Sequence, residues 1–471
     1  MIANFPILLF LVPFVSAVSL PMLGARYPWI CRPLALGAVS VSIAVAVANL
    51  VTVSHLGAIR YAFGGWAAPL GIEWVDDGLA AVVILTVGVV TWISLVFGGF
   101  GPPEARGRVI PYYTLILLLV SGLTGLVFAA DLFNVFVFLE VAALTGYALV
   151  GASGGRALLS AFRYLVLGSF GASLYLLGVS YLYVATGTLN MADLAQRLPE
   201  LMSSTAVVSG LIFVFLGLAI KMALVPLHGW LPDAYAHASE SVSPILASTV
   251  TKVALVAWVR IFYSVVGPGI DVGHVPVLVL LDELGVAAAL IGGTLALRQT
   301  ELKRMFAYGG ISHIGLILLG VSLGNATGFA GGVFYLLNDA VMQAALFILA
   351  GAAVRHYGAR TLQDLSAIQG RAPWMTAGLM IAAVSMIGLP PTGGFFGKWN
   401  IILGALQAEN YLGVFAVVAS TLLTLAYFVK IFASFLGDRP AVDSRGLEIP
   451  LSLKVSLAAA SAAMIGLGIW S

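Results

Sequence analysis

Two lysines stand inside apolar segments of this sequence, where a permanent charge is costly. Lys221 and Lys252 bound the stretch KMALVPLHGWLPDAYAHASESVSPILASTVTK, and neither is near the end of its apolar run. A cation at the centre of a bilayer costs roughly 2.5–3.5 kcal/mol on insertion scales, so such residues are more often functional than decorative. Pro226 breaks the first run, because it cannot donate to the carbonyl of Met222 and its ring pushes that carbonyl out of the helix. Irregular backbone at membrane depth requires protein or water around it, so we expect this position to line a hydrated path.

Glu140 provides an acid at a similar depth. It lies nine residues after Asp131 in the segment VFVFLEVAALTGYALV, and nine residues correspond to roughly 13 Å of helix. Burial disfavours the charged forms of a carboxylate and an ammonium, whereas pairing favours both, so a buried Glu–Lys pair can pass a proton when its members separate. The alternative is a static ion pair that fastens two helices. Acids inside a membrane are rare outside ion pathways, which favours the functional interpretation.

Lys398 shares the chemistry of Lys221 and Lys252, since each is a flexible ammonium that can hold a proton temporarily once it is desolvated. His313 and His228 titrate near neutral pH and could link these charges through water, although a lone histidine on an apolar face is more often a packed core residue. The primary relay that we predict consists of Glu140, Lys221, Lys252, His313 and Lys398.

Further polar residues are secondary candidates. Arg163 would carry a proton poorly, because a guanidinium hardly deprotonates, so we expect it to be a counter-ion or a helix anchor that pairs with Asp339. Arg260 and Lys430 lie nearer the ends of their apolar runs, where a side chain can reach the interface, and snorkelling is as well supported there as function. The secondary set is His228, Asp339, Arg163 and Lys430.

The elements that must position these residues are membrane-spanning helices. The 471 residues are 61% hydrophobic and 9% charged, against roughly 25% charged in an ordinary soluble domain. Apolar runs of about 20 residues, each long enough to cross the hydrocarbon, occur fourteen times. We predict an all-α polytopic membrane protein with about 14 transmembrane helices, the seventh broken at Pro226 and the twelfth at Pro390 and Pro391.

Composition and motifs argue against several kinds of site. The net charge of +2 is too small to indicate a nucleic-acid partner. The single cysteine, Cys31, excludes a cysteine-ligated cluster within this chain alone. The GGFFGKW segment around Lys398 lacks the spacing and the hydroxyl residue of a phosphate loop, and no two histidines have helical spacing within one run. We therefore expect no nucleotide, metal or other cofactor, and no independent catalytic activity.

Lysine and arginine are divided unevenly between the two sets of loops. One set contains only Arg60 and Arg197. Because cytoplasmic loops carry the excess of basic residues, we predict a multi-pass protein of the plasma (inner) membrane with both termini on the outer side. The predicted cytoplasmic set consists of Arg26, Arg32, Arg106, Arg108, Arg156, Arg298, Lys303, Arg304, Arg355, Arg360, Arg371, Arg439, Arg445 and Lys454.

The intramembrane polar residues recur at a nearly constant offset. Offsets of 173, 177 and 178 residues separate Glu140 from His313, Lys221 from Lys398, and Lys252 from Lys430. Spans four to eight thus repeat as spans nine to thirteen, and the second copy must be inverted because five is an odd number. Inverted repeats with broken helices at matching positions are typical of transporters whose half-channels meet at the midplane.

This repeat divides the chain into four parts. We predict an N-terminal three-helix segment at 1–110, a first inverted repeat of helices 4–8 at 111–263, a second of helices 9–13 at 264–436, and a C-terminal loop with helix 14 at 437–471.

Several segments together resemble the proton-translocating antiporter-like subunits shared by respiratory complex I, membrane-bound hydrogenases and Mrp-type sodium/proton antiporters. The resemblance implies fourteen helices with outside termini, the inverted repeat, and proton conduction along Glu140, Lys221, Lys252, His313 and Lys398. It rests on DLFNVFVFLE (131–140), KMALVPLHGWLPDAYAHA (221–238), Lys252, LKRMFAYGGISHIG (302–315) and GLPPTGGFFGKW (388–399).

Within that family, some positions are distinctive. In having lysine at position 398, the sequence resembles the D-type subunit of Mrp-type antiporters and some complex I or hydrogenase subunits. In LLNDAVMQAALF the family commonly has histidine at the position of Asp339 and lysine at that of Gln343, and Arg163 stands where lysine is frequent. These changes affect the link between the central lysine and the second half, although Asp339 could itself carry a proton.

The function that we predict is a proton-translocating subunit of a multi-subunit cation/proton antiporter of the Mrp type, with sister membrane subunits as partners, the bilayer as surroundings, and protons and sodium as the transported ions. One alternative is a pumping subunit of a complex I or a membrane-bound hydrogenase. Another is a non-conducting membrane scaffold, and a third is a stand-alone solute carrier. No nucleotide or nucleic acid is expected to bind.

Overall fold

The computed structural model of the chain describes residues 4–98, 109–267, 276–368, 372–435 and 450–470. Some of the basic residues used to predict orientation lie outside this part of the chain, namely Arg106, Arg108, Arg371, Arg439 and Arg445. The helices are α1 Phe5–Arg26, α2 Cys31–Leu56, α3 Gly78–Phe97, α4 Val109–Phe128, α5 Leu132–Gly151, α6 Arg156–Thr186, α7 Met191–Leu201, α8 Thr205–Lys221, α9 Leu231–His237, α10 Ser243–Ile261, α11 Val277–Arg298, α12 Leu302–Ser322, α13 Ala326–Tyr357, α14 Pro373–Ile387, α15 Gly393–Gln407, α16 Tyr411–Phe435 and α17 Leu451–Ile469.

Twelve helices in the described ranges are long and apolar enough to cross a membrane. Two further spans are interrupted, since α8 is followed by the short α9 and α14 is followed by α15. The first interruption contains Pro226, and the second contains Pro390 and Pro391. The predicted helical membrane architecture is therefore confirmed, and the two interruptions lie where the sequence predicts the breaks of the seventh and twelfth spans.

A short β-hairpin between α2 and α3 was not expected from the sequence. Strand β1 (Ile59–Ala62) pairs antiparallel with β2 (Glu73–Asp76), so that Ile59 lies opposite Asp76. Along β2 exposure alternates, and the side chains of Trp74 and Asp76 are the buried ones. Four-residue strands are invisible to a search for long apolar runs, which is why the hairpin was missed.

Isolated β-bridges define two faces of the protein. Trp74 bridges to Ala129, and Asp131 bridges to Asn190, which brings the hairpin, the α4–α5 connection and the start of α7 together on what we call the hairpin face. The connection between α11 and α12 and the segment after α13 meet at the opposite end, where Glu301 bridges to residue 361. We call this second end the basic face, because these segments and the adjoining helix ends contain Arg298, Lys303, Arg304 and Arg360.

The core of the bundle is formed by α10, α12 and α13, whose residues are buried along most of their lengths. Close helix approach depends on glycine. A Cβ added to Gly292 would lie 2.5 Å from the amide nitrogen of Ser312, and one added to Gly315 would lie 2.4 Å from that of Ala289. Small residues let helix backbones approach within a membrane, and here they hold α12, which carries His313, tightly against α11.

Candidate functional site

The first buried ion pair joins α5 to α8. Lys221 Nζ lies 3.0 Å from Glu140 Oε1 and donates a second hydrogen bond of 3.4 Å to the hydroxyl of Tyr147. The lysine side chain is 6% exposed and that of Glu140 is 24% exposed. The acid is thus the more accessible member of the pair.

The break in the seventh span positions Lys221. Helix α8 ends at Lys221, five residues before Pro226, so the interruption begins earlier than the proline alone suggests. Trp230 returns to this helix end and donates from its indole nitrogen to the carbonyl of Ile220 at 2.9 Å. Its ring stacks on Tyr164 with a centroid separation of 4.0 Å. The broken segment therefore buries the end of α8 under aromatic rings and holds the ammonium at a defined depth.

The second group lies at the centre of the core and contains three ionisable residues. Lys252 Nζ on α10 is 2.8 Å from Asp339 Oδ2 on α13, and Asp339 Oδ1 is 2.6 Å from His313 Nδ1 on α12. These side chains are between 0 and 4% exposed. Lys252 Nζ also donates to the carbonyl of Ala247 at 2.7 Å. Asp339 is therefore a bridge between a lysine and a histidine on two other helices.

The predicted pairing of Arg163 with Asp339 is wrong. Arg163 lies on an exposed part of α6 and contacts Asp233 Oδ2 at 3.1 Å, with 58% of its side chain exposed. Arg304 contacts the other oxygen of Asp233 at the same distance. The physical reason is geometric, since α6 is at the rim of the bundle while Asp339 is fully enclosed by α10 and α12. Arg163 therefore anchors α6 to the short helix α9.

The third group surrounds Lys398 at the break of the twelfth span. Its Nζ donates to the carbonyls of Met386 and Ile387, at 2.9 and 3.2 Å, and to the hydroxyl of Thr421 at 3.2 Å. Because α14 ends at Ile387, these two carbonyls receive no hydrogen bond from a following helical turn. Within the described ranges, Lys398 forms no ion pair and is held by neutral oxygens.

Aromatic and histidine rings lie between these groups. The Tyr335 ring has its centroid 5.3 Å from that of His313 and 5.8 Å from Lys398 Nζ, so it separates the second group from the third. His228, in the broken seventh span, has its ring 6.3 Å from that of Tyr308 on α12. The second nitrogen of His313, Nε2, is buried without a hydrogen-bond partner among the described residues.

A small cavity adjoins Lys252. It has a volume of about 10 Å³ and is lined in part by Thr251, Lys252 and Gln343, which is about the space that one water molecule needs. The Thr251 hydroxyl and both amide atoms of Gln343 are buried and have no protein partner in the described part of the chain. A cavity of this size can hold a single water, for which these polar groups and the lysine are the available hydrogen-bond partners.

The remaining candidates lie away from this series. Lys430 donates to the carbonyls of Leu297 and Gln299, at 3.1 and 2.9 Å, and so fastens α16 to the end of α11. Arg260 is buried and pairs with Asp77 at 3.0 Å near the hairpin face. Both side chains therefore fasten elements together, and neither contacts the three groups.

The burial of Lys303 was not predicted from the sequence, in which this lysine belongs to the predicted cytoplasmic loop set. The side chain lies near the basic face, donates to the carbonyl of Ala238 at 2.9 Å, and is 3.7 Å from Glu240 Oε1. It is 5% exposed, whereas its neighbour Arg304 is 35% exposed. One available signal was that two adjacent basic residues at the start of a helix cannot both point to the same side.

Comparison with known proteins shows which family this chain belongs to. The family described as NADH:quinone oxidoreductase/Mrp antiporter, TM, matches residues 129–424, well over half of the chain. The chain belongs to this family. The matched range contains all three groups from Glu140 to Lys398.

Whole-length relatives of this antiporter-like chain come from two kinds of complex. It is 37% identical to the N-type subunit of an NADH-quinone oxidoreductase from Desulforudis audaxviator, covering 100% of this chain and 97% of the relative. It is 32% identical to the D-type subunit of a Na(+)/H(+) antiporter from Alkalihalophilus pseudofirmus, covering 94% and 89% respectively. Its fold matches a chain in the structure of the Mrp complex from Dietzia sp. with a TM-score of 0.89 at 27% identity, covering 100% of this chain and 94% of the other.

Proposed function

We propose that this chain is the proton-conducting subunit of a multi-subunit, Mrp-type sodium/proton antiporter in the plasma membrane. The relay consists of Glu140, Lys221, Lys252, His313 and Lys398, with Asp339 as a bridge. The observation that carries the proposal is the enclosed group formed by Lys252, Asp339 and His313, with ion-pair distances of 2.8 and 2.6 Å.

Charge balance in each group sets how a proton moves. Glu140 and Lys221 form a neutral pair, so protonation of the more accessible Glu140 leaves the Lys221 ammonium buried without its counter-charge. That ammonium is then the unstable member, and it releases its proton inward. His228 and bound water bridge the path from α8 to the centre, since a histidine can both accept and donate near neutral pH.

At the centre, Asp339 holds two proton carriers at once. Its two oxygens face Lys252 and His313. When one of these carriers gains a proton, the carboxylate interacts more strongly with it and less strongly with the other carrier. His313 receives the proton that Lys252 releases and passes it from Nε2, which has no protein partner within the described ranges, toward Tyr335 and Lys398. In this scheme Asp339 takes the role of the histidine that is common at this position in the antiporter-like family.

Lys398 is the terminal carrier. It is held by the carbonyls of Met386 and Ile387 and by the Thr421 hydroxyl, all neutral acceptors, so its charge is balanced less directly than those of Lys221 and Lys252. With no carboxylate beside it among the described residues, this ammonium is the last carrier of the proposed series. The break between α14 and α15 supplies both the acceptors and the irregular backbone through which water can reach it.

The wider arrangement is proposed on the same basis. We infer that residues 111–263 and 264–436 form the inverted repeats, supported by the interrupted spans at matching places, and that 1–110 and 437–471 flank them. We also infer that the basic face is cytoplasmic and that the hairpin face and both termini are outside, supported by the distribution of loop arginines. Sister membrane subunits complete the assembly, and sodium is the counter-transported ion.

A second candidate is a proton-pumping subunit of a redox-driven complex of the complex I or hydrogenase type. The observation that favours it is the 37% identity to the N-type oxidoreductase subunit over the whole chain, against 32% to the D-type antiporter subunit. The two candidates share the relay and differ in the partners. Purification of the complex from its native membrane, with identification of the co-purifying chains, separates them: small membrane subunits without redox centres support the antiporter, and cluster-bearing subunits support the pump.

The decisive test of conduction is replacement of Glu140 by glutamine in the assembled complex. We expect Glu140→Gln to abolish proton transport into vesicles, because the first carrier can no longer gain or lose a proton. Glu200→Gln is the matched control, since Glu200 is exposed on α7 and lies outside the relay. Normal transport by a fully assembled Glu140→Gln complex would overturn the proposal in favour of a non-conducting scaffold. Transport by the purified chain alone would instead indicate a stand-alone carrier.

A further inference from the structure

A fully buried acid lies near the hairpin face, away from the relay. Asp76 is 0% exposed, and neither of its carboxylate oxygens has a hydrogen-bond partner among the described residues. Asn49 on α2 is also 0% exposed, and both atoms of its amide are likewise unpartnered. The amide approaches the Asp76 carboxylate without reaching hydrogen-bond geometry. Two buried polar side chains that face each other without a hydrogen bond require an explanation.

The position of Asp76 follows from the hairpin. Strand alternation turns Trp74 and Asp76 inward, and Asp76 pairs across the ladder with the apolar Ile59. The next residue, Asp77, accepts from the backbone of Ala80 at 2.9 Å and so begins α3. The fold thus places two consecutive acids in different surroundings, one capping a helix and one enclosed.

Arg260 approaches these acids from the core helix α10. Its Nη2 donates to Asp77 Oδ1 at 3.0 Å, while its Nε is buried and has no partner within the described ranges. The guanidinium therefore has an unused donor close to both acids. Lys252 is on the same helix eight residues earlier, about 12 Å away along the axis. A change at Asp76 can thus act on the helix that carries the centre of the relay.

We propose that Asp76 is a proton-binding site on the hairpin face, and that Arg260 turns from Asp77 toward Asp76 when that proton leaves. In the protonated state the two acids and Arg260 carry no net charge. In the ionised state they carry one negative charge, and the unused donor of Arg260 then binds the Asp76 carboxylate. This site lies outside the relay and goes beyond the transport function proposed above.

Electrostatics of the surroundings support reversible protonation. Burial raises the pKa of Asp76 to about 7, and the neighbouring Asp77 acts in the same direction. The Asn49 amide and Arg260 act against this rise. Glu73, on the same strand, pairs with Arg60 at the exposed edge. Because an ionised carboxylate buried without a partner is strongly destabilised, the acid is neutral in slightly acidic surroundings and charged in alkaline ones.

The arrangement suits a proton better than a sodium ion. Asp76 and Asn49 offer three side-chain oxygens at most, and hard cations take about six oxygen ligands. Arg260 places a positive charge beside the same carboxylates, which opposes a second cation. The amide of Asn49 also carries two donors that would face an incoming ion.

Infrared titration of the purified complex tests the site directly. With isotope-labelled aspartate, we expect a protonated-carboxyl band that disappears with a midpoint at about pH 7 and is absent in Asp76→Asn. Asp193→Asn is the matched control, because Asp193 is a hairpin-face acid already paired with Arg197 at 2.9 Å, and this variant must retain the band. Arg260→Met should shift the midpoint to higher pH, because a nearby cation is lost.

Two results would overturn the proposal. One is the absence of any such band in a folded complex down to mildly acidic pH, which would mean that Asp76 is already ionised. The other is a midpoint that moves with sodium concentration, which would indicate a cation site instead. If Asp76→Asn fails to assemble, Asn49→Leu provides the second variant, and its midpoint must rise because the amide no longer favours the ionised form. The titration does not depend on transport, so Glu140→Gln must leave it unchanged even where it abolishes conduction.

Discussion

Replacing Asp339 by asparagine removes one charge from the centre of the protein while preserving the size of the side chain. The carboxylate is fully buried, 2.8 Å from Lys252 Nζ and 2.6 Å from His313 Nδ1. At 2.8 Å, two unit charges attract by about 6 kcal/mol with an effective dielectric constant of about 20. Desolvation offsets part of this attraction, and removing one member of a buried pair costs about 3–5 kcal/mol.

That cost falls on the ammonium form of Lys252, which loses its only charged partner among the described residues. An ammonium left in the core without its counter-charge is destabilised, and the bridge from Lys252 to His313 is lost. We expect proton transport by the Asp339→Asn complex to fall at least about tenfold, without loss of subunit assembly.

The assay is proton movement into vesicles that contain the assembled complex, followed with a pH-sensitive dye and normalised to the amount of complex. A double-mutant cycle with Lys252→Met isolates the pair. Each single variant should lower the thermal midpoint, whereas the double variant should lower it by less than the sum, because no unpaired charge is left. Transport should stay absent in the double variant. Wild-type transport and an unchanged midpoint for Asp339→Asn would refute the assigned role of this bridge.

Three further predictions use the same preparations. Lys398→Met should abolish transport while the complex still assembles, because an apolar chain of similar length fills the site but carries no proton; near-normal transport would contradict a terminal carrier. Arg163→Met should change stability by only about 0–1 kcal/mol and leave transport within about twofold, because its ion pair with Asp233 is exposed, and a complete loss would contradict this peripheral position. Burial raises the pKa of Asp76 from 3.8 to about 7, so the folded protein binds that proton more tightly than the unfolded chain, and stability falls as pH rises from about 4 to about 7. Asp76→Asn should therefore raise the thermal midpoint, relative to wild type, more at about pH 8 than at about pH 5, and a difference that does not change with pH would speak against a raised pKa.

The sequence correctly predicted the two helix breaks and the pairing of Glu140 with Lys221. The breaks at Pro226 and at Pro390 and Pro391 were predictable, because proline removes a donor and disturbs the preceding helical turn whatever surrounds it. Glu140 and Lys221 were expected to pair within the membrane, and the structure places them 3.0 Å apart. Two buried opposite charges have few other ways to be satisfied in an apolar interior.

Partner choice between distant helices was predictable for Glu140 and Lys221 but not for Asp339. The chemistry of its guanidinium suggested Arg163 as a counter-ion of Asp339, but Arg163 lies on an exposed part of α6 and pairs with Asp233. The packing of the helix against its neighbours also decides that Lys303 is buried and that Arg304, one residue later, is partly exposed. Spacing along a chain fixes which residues share a helix face, but not which neighbouring helix that face meets.

The amino-acid sequence by itself determined the membrane class, the helical architecture, the two interruptions and a set of buried ionisable residues from Glu140 to Lys398, because long apolar runs and intramembrane charges have few physical solutions. Only the tertiary structure decided that Asp339 bridges Lys252 and His313, and that Asp76 is enclosed beside Asn49 while Asp77 caps a helix. The physical reason is that the energy of a charge depends on its desolvation and on partners from other helices and strands. Those partners are brought together by packing, which no local pattern encodes.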